Sequence, residues 1–130
     1  MTALRDPARL KWKRHVQAGT PLPTPWPKAE YEAESRAYQQ RRAALRAANR
    51  PESEMSALFK EDLARSNALF AKAAYRNAIG AFEGANYEAS GYFRPAMQCI
   101  MFDRSEQFCP VCRDGIGDII DLYARPAGVK

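Results

Sequence analysis

Two long segments in the middle of the chain have the residue pattern of helices. Residues 28–49 are almost entirely strong helix formers, and residues 52–73 carry their large apolar side chains close to one helical face. The apolar stripe of the first segment is thin and recurs at heptad spacing, at Tyr31, Tyr38 and Leu45. The break between the segments is short, so the pattern predicts an antiparallel helical hairpin over residues 28–73. The weak heptad leaves a dimerising coiled coil, and with it an interaction scaffold, as an alternative.

A last helix is predicted near the end of the chain. Its apolar residues recur at helical spacing: Cys112, Ile116, Ile119, Ile120 and Tyr123. Pro110 lies near its start and Arg125–Pro126 ends it. Before it, residues 78–82 form a short apolar run interrupted by glycine, which suits a brief strand or an irregular buried segment. A turn is predicted at residues 83–86, and residues 87–94 are predicted to be a second short extended piece. The predicted fold class is therefore mainly α, or α+β with a few short strands.

The first 27 residues read as an arm and a connector. Asp6 followed by Pro7 is the start signal of a short helix, with Leu10 on its buried side. A proline-rich stretch follows, which must be extended, and Trp26 is expected to pin it to the core. We expect a single unit over residues 1–130, made of three parts: residues 1–27, residues 28–73, and residues 74–130.

Charge and hydropathy exclude several classes of partner. The net charge of +5 is concentrated in residues 1–50, but its basic side chains alternate with Ala, Gln and Glu and not with stacking aromatics. We read this as a solvated helix face and expect no nucleic-acid partner. No apolar run is long enough to cross a membrane, and the first residues lack the apolar core of a signal peptide, so no membrane partner is expected.

The sharpest local motif is a C-x-x-C pair, Cys109 and Cys112, with Cys99 upstream. As a zinc knuckle the three would lack a fourth ligand, and as a redox pair Cys109 and Cys112 would need a lowered pKa at a helix N-terminus. The interpretation we prefer is a structural disulfide from Cys99 to either of the other two. Closing that loop would contribute roughly 2–3 kcal/mol to stability.

Other catalytic chemistry finds little support in these residues. A helical HExxH zinc site needs two histidines one turn apart, and the chain has one, His15. We expect His15 to be a surface or partly buried side chain. Glu83, Glu88 and Asp103 are scattered carboxylates with no visible partner. We therefore assign no catalytic residue. We also assign no metal site, because no set of candidate ligands is complete.

Short motifs occur in a fixed order along the chain: Phe82–Ala85 with Tyr87, Gly91–Pro95, Cys99–Met101 and Phe108–Cys112, with Leu10–Lys13 and Gly19–Pro25 upstream. The first four resemble the C-terminal part of zinc metallopeptidases of the IgA-peptidase family, and the two upstream motifs resemble the segment that follows the zinc motif in that family. The resemblance implies a partial metzincin-like subdomain. In such enzymes the histidines of an HExxH helix hold zinc, its glutamate acts as base, and a methionine turn lies beneath the ligands. By position, Met101 corresponds to that methionine.

The resemblance also implies what this chain would need. The HExxH half would lie before Met1, so the expected partner is a missing N-terminal catalytic half, and peptides are the substrates of the intact enzyme. Zinc belongs to that full-length enzyme, and we expect this chain alone to bind none and to be inactive. The helical pair would be an insertion beside the cleft. A small zinc-binding or nucleic-acid-binding module built on the cysteines is the alternative.

Overall fold

The computed structural model describes Thr2 and residues 5–125. The longest elements are three helices: α1 (Lys28–Ala47), α2 (Glu52–Ala71) and α3 (Pro110–Ala124). Two strands, β1 (Phe82–Ala85) and β2 (Glu88–Arg94), form one antiparallel sheet, and short 3-10 turns occur at Pro7–Arg9 and Lys13–His15. The predicted class, mainly α with a few short strands, is confirmed. The predicted stop at Pro126 lies outside the described residues, and no helix among those described is long and apolar enough to cross a membrane.

The helical pair forms as its sequence pattern predicts. Asn49 adopts a left-handed conformation, with φ of 48°, and the Arg50 amide donates to the Leu45 carbonyl oxygen at 3.0 Å, which closes the connection after α1. Across the pair, both Arg41 Nη atoms donate to the Glu61 carboxylate, at 2.6 and 2.8 Å. The interhelical contact is narrow, because Tyr38 is the only buried residue of α1.

The second predicted strand is found in place, because β2 covers Glu88–Arg94 within the predicted run at residues 87–94. Of the two alternatives for residues 78–82, the irregular segment holds for residues 78–81, since β1 begins at Phe82. The predicted turn at 83–86 is wrong in position: the turn is formed by Asn86 and Tyr87, with φ of 55° and 63°. Gly84, with φ of +106°, instead introduces an irregularity in the pairing between Glu83 and Ala85. Glycine served here as a bulge within a strand, and asparagine supplied the turn.

The arm and the connector supply much of the core. Leu10 and Trp12 pack with Ala81 and Phe93, and the Trp12 indole nitrogen donates to the Gly80 carbonyl oxygen at 2.7 Å. The Asp6 carboxylate caps the first 3-10 turn, as predicted, by accepting from the Ala8 amide at 2.9 Å. The contacts of Leu10 and Trp12 hold the arm against residues 80–93 of the chain.

A second cluster joins the hairpin to the sheet. Phe70, Phe82 and Met97 are buried together, and Trp26 packs against them as expected, with its ring centroid 6.1 Å from that of Phe70. Tyr31 of α1 completes the contact at 5.5 Å from Phe70. The connector therefore holds the base of α1 against the end of α2.

Candidate functional site

The segment between Cys99 and Cys109 folds back on itself and brings its two ends together. The Cys99 carbonyl oxygen accepts from the Phe102 and Asp103 amides at 2.9 and 3.0 Å, which makes a tight turn around Met101. The Ile100 amide then donates to the Gln107 carbonyl oxygen at 2.9 Å. This closure places Cys99 beside the start of α3.

The three cysteines form one cluster, which we call the three-cysteine cluster. Their sulfur atoms all lie within 4.8 Å of one another. Cys99 and Cys109 are buried and Cys112 is half-buried, and all three are free thiols. The Cys109 amide donates to Cys99 Sγ at 3.2 Å. The structure thus brings together the residues that the sequence marked as disulfide or metal candidates.

Burial disfavours the thiolate forms of Cys109 and Cys112. Desolvation is the main cause that raises the pKa of Cys109, and with the neighbouring sulfurs of Cys109 and Cys99 it raises the pKa of Cys112 to about 12. The redox interpretation required a lowered pKa, which would stabilise a thiolate near neutral pH. The raised pKa values of Cys109 and Cys112 therefore give no support to a reactive redox pair.

Met101 lies at the surface, and a different methionine fills the core. The Met101 side chain is 59% exposed, whereas Met97, four residues earlier, is 1% exposed and packs between Phe70 and Phe82. Met101 and Phe102 line two adjoining grooves of about 400 and 570 Å³, which run along the side of α1. The turn thus presents its thioether to open space beside the helical hairpin.

Arg94 is a feature of this region that the sequence analysis missed. Its guanidinium carbon lies 4.7 Å from the Trp26 ring centroid, 5.6 Å from that of Tyr31 and 5.0 Å from that of Phe102. The residue is 5% exposed, and its Nε and Nη2 atoms have no hydrogen-bond partner. Desolvation lowers its pKa. The sequence signal that could have identified Arg94 is its position directly after the aromatic residues Tyr92 and Phe93 and directly before Pro95.

Three of the remaining candidate groups, His15, Glu83 and Asp103, have polar partners, whereas Glu88 is an exposed residue of β2. His15 Nε2 lies 3.0 Å from the Asp114 carboxylate, and the ring is partly buried, as expected. Glu83 has a partner that the sequence did not reveal, because Lys28 Nζ donates to it at 2.6 Å and holds its pKa below the usual range. Asp103 accepts from the Ser105 amide at 2.8 Å. Neither Glu83 nor Asp103 is poised as a free base.

Comparison with known proteins gives one match. The sequence family described as IgA Peptidase M64 matches residues 1–120. No curated protein matches the chain. No solved structure matches it either.

Proposed function

The chain belongs to the IgA peptidase M64 family, and on this premise we propose that it completes the active site of a zinc metallopeptidase. The turn at Met101 forms the apolar floor beneath zinc ligands that another segment supplies. The grooves beside Met101 and Phe102 contribute to the cleft that takes a peptide substrate. Alone, the chain does not hydrolyse peptides.

The observation that carries this proposal is the position of Met101. A tight turn held by two hydrogen bonds to the Cys99 carbonyl oxygen projects a flexible thioether into the open, at the junction of two grooves. An apolar side chain fixed by such a turn gains stability only when another apolar surface covers it. Our proposal assigns this covering surface to a segment that carries the metal ligands.

The residues present do not themselves fit the zinc of such an enzyme. That site takes two histidines at i and i+4, and the single histidine, His15, is already paired with Asp114 of α3. The role that remains for this chain is support, in which the floor holds the ligand-bearing segment in place.

The exposed apolar face of α3 is a second observation in favour of a partner segment. The apolar side chains of α3 from Ile116 onward are exposed: Ile116, Ile119, Ile120, Leu122 and Tyr123. A continuous apolar helix face of this kind is typical of a surface covered by other protein. We assign that covering to the segment that bears the zinc ligands.

The test is reconstitution with an HExxH-bearing segment of an M64 family member, fused ahead of this chain or supplied separately. We expect hydrolysis of a fluorogenic peptide library by the combination and by neither part alone. Met101→Ser should lower the rate about 10-fold or more, and Met101→Leu should retain most of it.

Met55→Ser, in α2 and away from the turn, is the matched control and should leave the reconstituted rate unchanged. Equal rates for Met101→Ser and the unmodified chain, both folded and both bound to the added segment, would remove Met101 from the active-site floor.

A further inference from the structure

The three-cysteine cluster is built by two segments that meet at the start of α3. Cys99 precedes the turn at Met101, Cys109 is the residue before α3, and Cys112 lies in the first turn of that helix. We propose that the cluster binds one Zn²⁺ through three thiolates. No histidine, aspartate or glutamate among the described residues joins the group, so the fourth coordination position is open to water or to an external ligand.

The distances suit a metal better than a disulfide. Zinc–sulfur bonds of about 2.3 Å in a tetrahedral site place the sulfurs roughly 3.8 Å apart. All three sulfurs already lie within 4.8 Å of one another. A disulfide would draw two of them to about 2.05 Å and leave the third without a partner. A single ion uses all three with the smaller movement.

The backbone holds the three sulfurs in place. The Cys109 amide donates to Cys99 Sγ at 3.2 Å, which fixes that sulfur beside the start of α3. Cys109 and Cys112 lie at the N-terminal end of α3, where the helix dipole favours the net negative charge that a Zn²⁺ ion with three thiolates would carry. The hydrogen bond between Ile100 and Gln107 fixes the loop, so little chain entropy remains to be lost on binding.

The binding step balances without an oxidant. Three Cys–SH groups and one Zn²⁺ give three Zn–S bonds and three released protons, and no atom changes oxidation state. The half-buried Cys112 marks the side from which the ion enters and on which the fourth ligand binds. The bound ion would clamp the loop that carries Met101 to α3, a role independent of whether the chain serves a peptidase.

The experiment titrates the reduced, chelator-treated chain with Co²⁺ under anaerobic conditions and then displaces it with Zn²⁺. We expect one Co²⁺ per chain with sulfur-to-cobalt charge-transfer absorption, stoichiometric displacement by Zn²⁺, and three protons released per Zn²⁺. Cys99→Ser, Cys109→Ser and Cys112→Ser should each weaken binding at least 10-fold. Glu106→Gln, an exposed carboxylate of the same loop, is the matched control and should bind normally.

Two measurements on the unmodified chain test zinc binding even if a cysteine variant fails to fold. Zn²⁺ should protect all three thiols from alkylation, and the proton count should be three. Binding below one ion per chain, fewer than three protons, or unchanged alkylation would overturn the proposal. So would a disulfide in the isolated protein whose reduced form still takes up no ion.

Discussion

Thr24 leaves no room for a side chain at Gly80. A Cβ atom on Gly80 would lie 2.1 Å from Thr24 Oγ1, and that hydroxyl is held in place because it donates to the Pro21 carbonyl oxygen and accepts from the Ala81 amide. The Thr24 amide also donates to the Ala81 carbonyl oxygen at 2.8 Å. The proline-rich connector is therefore locked against the segment that leads into β1.

Gly80→Ala is expected to lower the free energy of unfolding by about 1–3 kcal/mol, because neither the connector nor the segment can yield without breaking these bonds. Gly117→Ala in α3 is the matched control. Nothing lies within 4 Å of its added Cβ, so the better helix former should raise stability by about 0.5–1 kcal/mol. Urea denaturation of both variants measures the contrast, and equal effects would refute the close-packing explanation.

Met97 and Met101 should respond differently to the same substitution. Met97→Ala removes a fully buried side chain and is expected to cost about 2–5 kcal/mol of stability. Met101→Ala removes an exposed one and should cost less than about 0.5 kcal/mol. Thermal and urea unfolding measure both. A large loss of unfolding free energy in Met101→Ala would mean that Met101 stabilises the isolated chain. That result would argue against a floor that is covered only by a partner segment.

The ion pair between Arg41 and Glu61 should give stability a defined pH dependence. The Arg41 side chain, with help from Arg65, lowers the pKa of Glu61 from 4.5 to about 2. Because the folded-state pKa is depressed, the stabilisation is present above 4.5 and is lost as the pH falls through about 2. The urea midpoints of wild type and Glu61→Gln should therefore differ near neutral pH and converge toward pH 2.

High salt is the control for this pair. Both side chains are exposed, so screening should shrink the difference between wild type and Glu61→Gln at every pH. A difference that persists unchanged in acid, or in high salt, would show that the variant acts through packing and not through charge.

The outer face of α3 should tolerate polar substitution. Ile119→Ser with Ile120→Ser is expected to change the free energy of unfolding by less than about 1 kcal/mol, since both side chains are exposed. The same pair should weaken docking of an added HExxH segment, measured by light scattering as a loss of the mixed complex. Leu58→Ser, at a buried site of α2, should instead cost at least about 2 kcal/mol. If the double variant unfolds the chain, α3 belongs to the core.

Arg94 should not be replaceable by lysine. Its flat guanidinium lies near three aromatic rings, and a lysine ammonium is more strongly hydrated and cannot stack in the same way. Arg94→Lys is expected to lower stability by about 1 kcal/mol or more, and Arg94→Met by less, because methionine leaves no buried charge. Urea denaturation of the two variants ranks them. A lysine variant as stable as wild type would contradict the stacking argument.

Local sequence signals predicted the elements better than their exact positions. Heptad spacing and a short break predicted the hairpin, and Pro110 with the following apolar spacing predicted α3. The turn between the strands was misplaced because glycine can make either a turn or a bulge, and only cross-strand pairing chose the bulge at Gly84. Arg94 was missed because two of the aromatic rings around it, those of Trp26 and Tyr31, come from distant parts of the chain.

The sequence by itself determined the helices, the extended connector, the candidate cysteines and the family motifs, because each depends on neighbouring residues or on residue identity. Only the tertiary structure decided that the cysteine sulfurs converge, that Met97 and not Met101 fills the core, and that the apolar face of α3 stays exposed. Those outcomes depend on which surfaces meet after the chain has folded. Periodicity marks a face as apolar, but it does not say whether that face finds a partner within the same chain.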